Sequence, residues 1–128
     1  MAVDPCTTSQ VLGNFNGTLD AVAGYTMTWA GMANGDTGQP QSLPGFCDRS
    51  VSVGGAFGSG GSVALEGSND GVNFFALPNP AGTTIGVTSA GLQACQTACL
   101  WIRPHITAGD GTTLLNVTVF ARNQQVRY

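Results

Sequence analysis

Apolar side chains recur at every second position in several separate stretches of this chain. Leu19, Ala21, Ala23, Tyr25, Met27 and Trp29 alternate with Asp20, Gly24, Thr26 and Thr28. Val51 and Val53 alternate with Ser50 and Ser52 and lead to Phe57; Val63 and Leu65 alternate with Ala64 and Glu66. Leu100, Ile102, Pro104 and Ile106 alternate with Trp101, Arg103 and His105, and Leu115, Val117, Val119 and Ala121 follow the same rule. A period of two puts like residues on one face of an extended strand, so each stretch predicts a strand with one buried side. Leu114 and Phe120, on the other side of the last strand, predict that this face is covered as well.

Turn chemistry separates these strands. Asn69-Asp70-Gly71 permits the positive φ of a tight reversal, and Pro78 ends the strand that returns from it. Ser62–Leu77 is therefore the clearest hairpin. Gly58-Ser-Gly-Gly61 predicts a turn joining the strand Arg49–Phe57 to this hairpin in a three-stranded meander, and Ala108-Gly-Asp-Gly111 predicts a second hairpin turn. Pro104 lacks a donor and predicts an edge strand or a bulge. Ile85 and Val87 mark a short strand, and Gly31–Phe46, rich in Gly, Pro, Asn and Asp, reads as a long loop. About seven to eight short strands without a helix of ordinary length predict an all-β fold, an antiparallel β-sandwich or jelly-roll-like barrel. Val53, Phe57, Leu65, Ile102 and Val117 are its expected core.

The first seventeen residues show no period. Pro5, scattered polar residues and the apolar Val3, Val11, Leu12 and Phe15 predict an irregular N-terminal arm over 1–17, anchored by those side chains, ahead of a single domain over 18–128. At the other end Arg122, Arg127 and Tyr128 are the candidate C-terminal contacts, since arginine and tyrosine are favoured at interfaces.

Composition narrows the function. Of 128 residues 42% are hydrophobic and 9% charged, against about 25% charged in an average domain. Four arginines, no lysine and seven acids give −3, which argues against binding nucleic acid by phosphate neutralisation. No apolar run approaches the ~20 residues that span a bilayer, and Met1–Cys6 has neither the basic start nor the apolar core of a secretory signal. The expectation is synthesis in the cytosol, with Cys6, Cys47, Cys95 and Cys99 reduced and packed as small hydrophobes. The paired spacing typical of structural zinc is missing among these cysteines.

No stretch assembles a catalytic set. His105, the single histidine, lies beside Pro104 on a strand and reads as a solvated or packed residue. Asp36, Asp70 and Asp110 each adjoin a turn glycine, without the alternating acids of a dedicated calcium loop. Gly58–Gly61 is followed by neither a helix nor a lysine and is no phosphate cradle. The sequons Asn16-Gly-Thr18 and Asn116-Val-Thr118 are accidental in a cytosolic product. No catalytic residue, cofactor or metal is expected.

Leu65-Glu-Gly-Ser-Asn-Asp-Gly-Val-Asn-Phe-Phe-Ala-Leu77, followed by Ile102-Arg-Pro104 and Gly109-Asp-Gly-Thr-Thr-Leu114, resembles small β-sandwich proteins of the structural modules of tailed bacteriophages, including capsid decoration (cement) proteins. The likeness spans roughly residues 49–122. It implies a non-enzymatic virion protein on the outer capsid surface that binds the major capsid protein and stabilises the assembled shell. Self-association is expected as well, as a trimer at threefold positions rather than a dimer, with terminal segments reaching the shell. The alternative is a receptor- or carbohydrate-binding module of a tail or head fibre, with Tyr25, Trp29 and Trp101 as stacking faces and Gly31–Phe46 shaping a pocket.

Overall fold

The structure, a computed structural model, describes residues 2–15 and 18–122, with side chains for 2–12 and 24–122. Its regular elements are all strands: β1 (Val3–Asp4), β2 (Cys6–Phe15), β3 (Thr18–Ala33), β4 (Thr37–Gly38), β5 (Asp48–Ala56), β6 (Ser62–Ser68), β7 (Phe75–Ala76), β8 (Gly91–Cys95), β9 (Trp101–Ala108) and β10 (Leu114–Arg122). Seven of them have five residues or more, and β1, β4 and β7 have two each. They form two five-stranded sheets, β1-β4-β9-β6-β7 and β2-β3-β10-β5-β8. Pairing is antiparallel except between β1 and β4. The fold is a β-sandwich.

The alternating residues meet between the sheets. Met27, Trp29, Val51, Val53, Leu115, Val117 and Val119 pack from one side against Val63, Leu65, Ile102 and Ile106 from the other, all nearly inaccessible to water. Ile85, Val87 and Leu77 close the core near β7, and Phe57 packs half-buried at its margin. Burying so many branched and aromatic side chains, at about 1.5–3 kcal/mol each, is the principal drive for folding. Leu114 departs from expectation: its side of β10 is open, and the residue is 55% exposed.

Several connections differ from the sequence expectation. The turn at Gly58–Gly61 joins β5 in the second sheet to β6 in the first, so it crosses the sandwich and makes no meander. The turn at Gly109–Thr113 likewise carries β9 to β10 across the core, without forming a hairpin. The β6–β7 hairpin is present with Gly71 at φ 77°, but its pairs are Glu66 with Ala76 and Gly67 with Phe75, so its loop is wider than a tight two-residue turn. Gly31–Phe46 is no continuous loop: β3 runs to Ala33, β4 follows, and Gln41 bridges to Ile102. Ile85–Val87 makes no strand; Val87 forms a single bridge to Val63.

Pro104 sits in the centre of the first sheet, between β4 and β6, and not at an edge or bulge. On the β4 side, Ile102 N donates to Gln41 O and Ile106 N to Asp36 O, both at 2.9 Å. Pro104 N faces the same side between these two bonds, opposite Gly38, so the ladder skips one position there and is held by the bonds on either side of it.

The N-terminal segment, expected to be irregular, is mostly strand. Residues 3–4 extend the first sheet at β4, and residues 6–15 form the edge strand of the second beside β3. The chain switches sheets at Pro5, whose lack of an N–H suits the break between two ladders. Its polar residues conceal the strand because one face of β2 looks outward. β10 pairs with β3 only from Tyr25 to Ala33, while β2 follows β3 down to Thr18. Among the described residues, 11–15 and 18–24 therefore continue as a two-stranded ribbon beyond the pairing with β10. At ~3.3 Å per residue its longer strand reaches about 20 Å.

Candidate functional site

The expected contact residues fall in three places. Val3, on β1, is 66% exposed; Val11 and Leu12 lie at the base of the ribbon, half-buried and 48% exposed respectively. Phe15 ends β2, with its side chain outside the described residues. Arg122 closes β10 and donates through Nε to the Asp48 carboxylate, so its charge is already paired; this hydrogen bond leads the causes that lower the Asp48 pKa. Arg127 and Tyr128 lie outside the described residues.

The ribbon is the distinctive element. Its strands read Val11-Leu12-Gly13-Asn14-Phe15 and Thr18-Leu19-Asp20-Ala21-Val22-Ala23-Gly24, with one charge among twelve residues. An isolated two-stranded ribbon is marginal in water, and an apolar one gains most from a surface that covers it.

The two outer faces differ in charge. On the first sheet Glu66 receives Arg103 Nε and His105 Nδ1, each at 2.9 Å, and Arg103 stacks 4.0 Å from the Phe74 ring centroid. The register explains the meeting: Glu66 lies opposite Arg103, and Ala64, two residues earlier on that face, opposite His105. This cluster was not foreseen, because its partners are separated by more than thirty residues. On the second sheet, Thr7, Thr28, Thr118, Ser52 and Leu92 line up across all five strands, and Ser9, Thr26, Phe120, Ser50 and Ala94 form the next row. Thr28 and Thr118 share a hydroxyl hydrogen bond of 3.3 Å, and Ser52 Oγ donates to Thr118 O. Neither row holds a charge.

The other titratable groups are occupied within the fold. Asp70 accepts from the N–H groups of Val72 and Asn73, from Asn73 Nδ2 and from Ser68 Oγ, which holds its carboxyl well below the usual range. Asp110 is held low by Thr112 and by the Ser59 N–H. Asp36, 6% exposed, accepts from Ala2 N and Ala33 N, both at 3.0 Å. Burial pushes its carboxyl up, but these donors, with a hydrogen bond from Asp4, bring it below its ordinary value. Asp4, across the strand pair, is pushed up to about 6 by burial first and then by Asp36. Asp4 Oδ2 is buried without a partner among the described residues. The three turn aspartates do not converge. Among the described residues no group of three or more His, Cys, Asp or Glu side chains is placed to hold a metal.

The four cysteines are free. Cys95 belongs to the core; Cys6 and Cys99 pack against it, with their thiols pushed up by burial. Arg49, 2% exposed, shares the inward face of β5 with Val51 and places Nη1 3.0 Å from Thr97 O and 3.7 Å from Cys99 Sγ. The alternation Arg49, Val51, Val53 was the signal for its burial. Of the three aromatics considered as stacking faces, Trp29 is fully buried, donating Nε1 to Gln39 O at 3.0 Å. Tyr25 meets Phe46 edge-on at 5.0 Å, and Trp101 is half-covered beneath the β6–β7 hairpin. They form no common platform.

The described surface includes two open cavities. One, about 440 Å³, lies between the β6–β7 hairpin and Thr97–Cys99, and the other, about 500 Å³, runs beside β8. Among the described residues no helix is long and apolar enough to cross a membrane.

Fold and surface together define a β-sandwich with a Glu66–Arg103–His105 cluster on one face, two charge-free rows on the other and an apolar two-stranded ribbon. The chain matches no protein-family model, and neither a curated protein nor a solved structure shows detectable similarity to it.

Proposed function

We propose that this protein is a non-enzymatic virion structural protein of the capsid decoration type, which binds the outside of an assembled phage head and stabilises it. The observation that carries this reading is the ribbon: a two-stranded extension of apolar, nearly uncharged sequence that, among the described residues, runs on beyond the pairing with β10. The resemblance of residues 49–122 to phage β-sandwiches points the same way, and Glu66, Arg103, Asp48 and Arg122 serve pairs within the fold. A ligand that binds only the assembled shell stabilises it by mass action, by about 2.7 kcal/mol per site at a hundredfold excess over Kd. Several copies acting together multiply weak contacts through effective concentration, which favours a trimer at threefold lattice positions.

Removing residues 1–17 is not a clean test, because it would strip β1 and β2 from both sheets. Leu12→Asp is better, since this side chain is 48% exposed. Heads lacking the protein, mixed with wild type, should retain it on sedimentation and resist heating and osmotic shock. The variant should fold normally and bind at least tenfold more weakly. Equal DNA release from heads with and without the protein would refute the proposal.

A further inference from the structure

The two sheets protect their edges differently. The first ends in β1 and β7, each two residues long, and very short edge strands offer little for another chain to pair with. The second ends in β2 and β8. β8 pairs with β5 over five residues without a register shift and carries no charge or proline, the usual devices that discourage edge pairing. Its other edge has no strand among the described residues and borders the 500 Å³ groove, lined by Asn79, Pro80, Thr83 and Thr84 opposite Gln93 and Ala94, with no charged side chain. The groove can admit an extended, uncharged segment.

β2 presents such a segment at the opposite edge. Near its start the edge is covered, with Gln39 Oε1 accepting from Cys6 N and Gln41 Oε1 within 3.5 Å of Thr8 Oγ1. From Ser9 to Val11 no strand covers it among the described residues, and this stretch is again free of charge and proline and pairs with β3 without a register shift, the first shift coming between Val11 and Leu12.

We propose that the second sheet continues from one copy of this chain into the next, the open edge of β2 over Ser9–Val11 pairing with the open edge of β8 over Gly91–Cys95. Both stretches are extended and regular, each paired to its own sheet without a register shift. Both are uncharged, so two copies of a −3 chain meet there without like charges in contact. The contact is head-to-tail, and when the rotation between copies closes a ring every such edge is paired. Only the number three rests on the decoration reading; the edge contact stands without it. The ribbon from Leu12 onward and Val3 remain free for the shell, so Leu12→Asp should leave the oligomer mass unchanged.

The test uses purified full-length protein and light scattering. Wild type should run at three times 13.0 kDa, and Ala94→Lys and Ser9→Lys, both at exposed positions, should each run at 13.0 kDa with unchanged circular dichroism and melting temperature. Mixed in equal amounts, the two variants should give a one-to-one complex, because each keeps one intact edge. A monomeric wild type, an unchanged mass in either folded variant, or a mixture that stays monomeric would overturn the inference. Loss of shell binding with the ring intact would instead count against the decoration reading alone.

Discussion

Gly38→Ala is a severe test of how this sandwich closes around Pro104. The backbone at Gly38 is unstrained, yet a Cβ there would lie 2.6 Å from Pro104 Cδ and 2.7 Å from both Pro104 Cγ and Trp29 Cδ1. Neither neighbour yields easily: the proline ring does not rotate away, and Trp29 is fully buried and tied to Gln39 O. Relief requires a shift approaching an ångström in β4 or in the indole, at the upper part of the ~1–3 kcal/mol that overpacking costs. For a chain of this size about 4 °C is lost per kcal/mol, so a fall of about 8–12 °C in melting temperature is expected by calorimetry. Gly54→Ala is the matched control, since a Cβ there meets nothing within 4 Å and its φ is not positive; it should leave the melting temperature within about 2 °C. If Gly38→Ala melted with wild type, β4 would be free to move off Pro104, and the account of a proline inside a sheet would be wrong.

Two further outcomes follow from the same geometry. Asp4, raised to about 6, retains a proton in the folded protein that it loses near 3.8 when unfolded, so its contribution is present at low pH and is lost as pH rises through about 6. The lowered carboxyls of Asp36, Asp48, Asp70 and Asp110 act in the opposite sense, below their ordinary range, and a comparison of wild type with Asp4→Asn over a window of pH 5 to 7.5 keeps His105 common to both, so the difference isolates Asp4. Wild type should lose stability across that window. Asp4→Asn, neutral at every pH, should flatten the loss and melt higher than wild type at pH 7.5; a lower melting temperature there would show that both carboxylates ionise without penalty. Gly71→Val places a branched side chain at φ 77° and its Cβ 3.3 Å from Trp101 Nε1, and should cost about 1–3 kcal/mol in a denaturant titration. An unchanged midpoint would mean the hairpin loop relaxes freely.

Alternation alone identified the inward residues Met27, Trp29, Val51, Val53, Leu65, Ile102, Ile106, Val117 and Val119, because a strand's two-residue period is a local property of the backbone. Asp70-Gly71 announced its turn for the same reason: side-chain capping and positive φ act within four residues. Which sheet a strand joins is not local. Gly58–Gly61 and Gly109–Thr113 permit tight turns equally well whether the next strand pairs with the last or crosses to the other sheet, and only the burial of both strand faces against partners tens of residues away decides it. Pro104 is tolerated at a sheet centre because Gly38, sixty-six positions earlier, leaves room opposite its ring. Glu66 finds Arg103 and His105, and Asp4 finds Asp36, through register alone. The uncharged rows of the second sheet and its two open edges likewise exist only once strands from both ends of the chain are laid side by side, since a charge-free surface is a property of neighbours in space and not of neighbours in sequence.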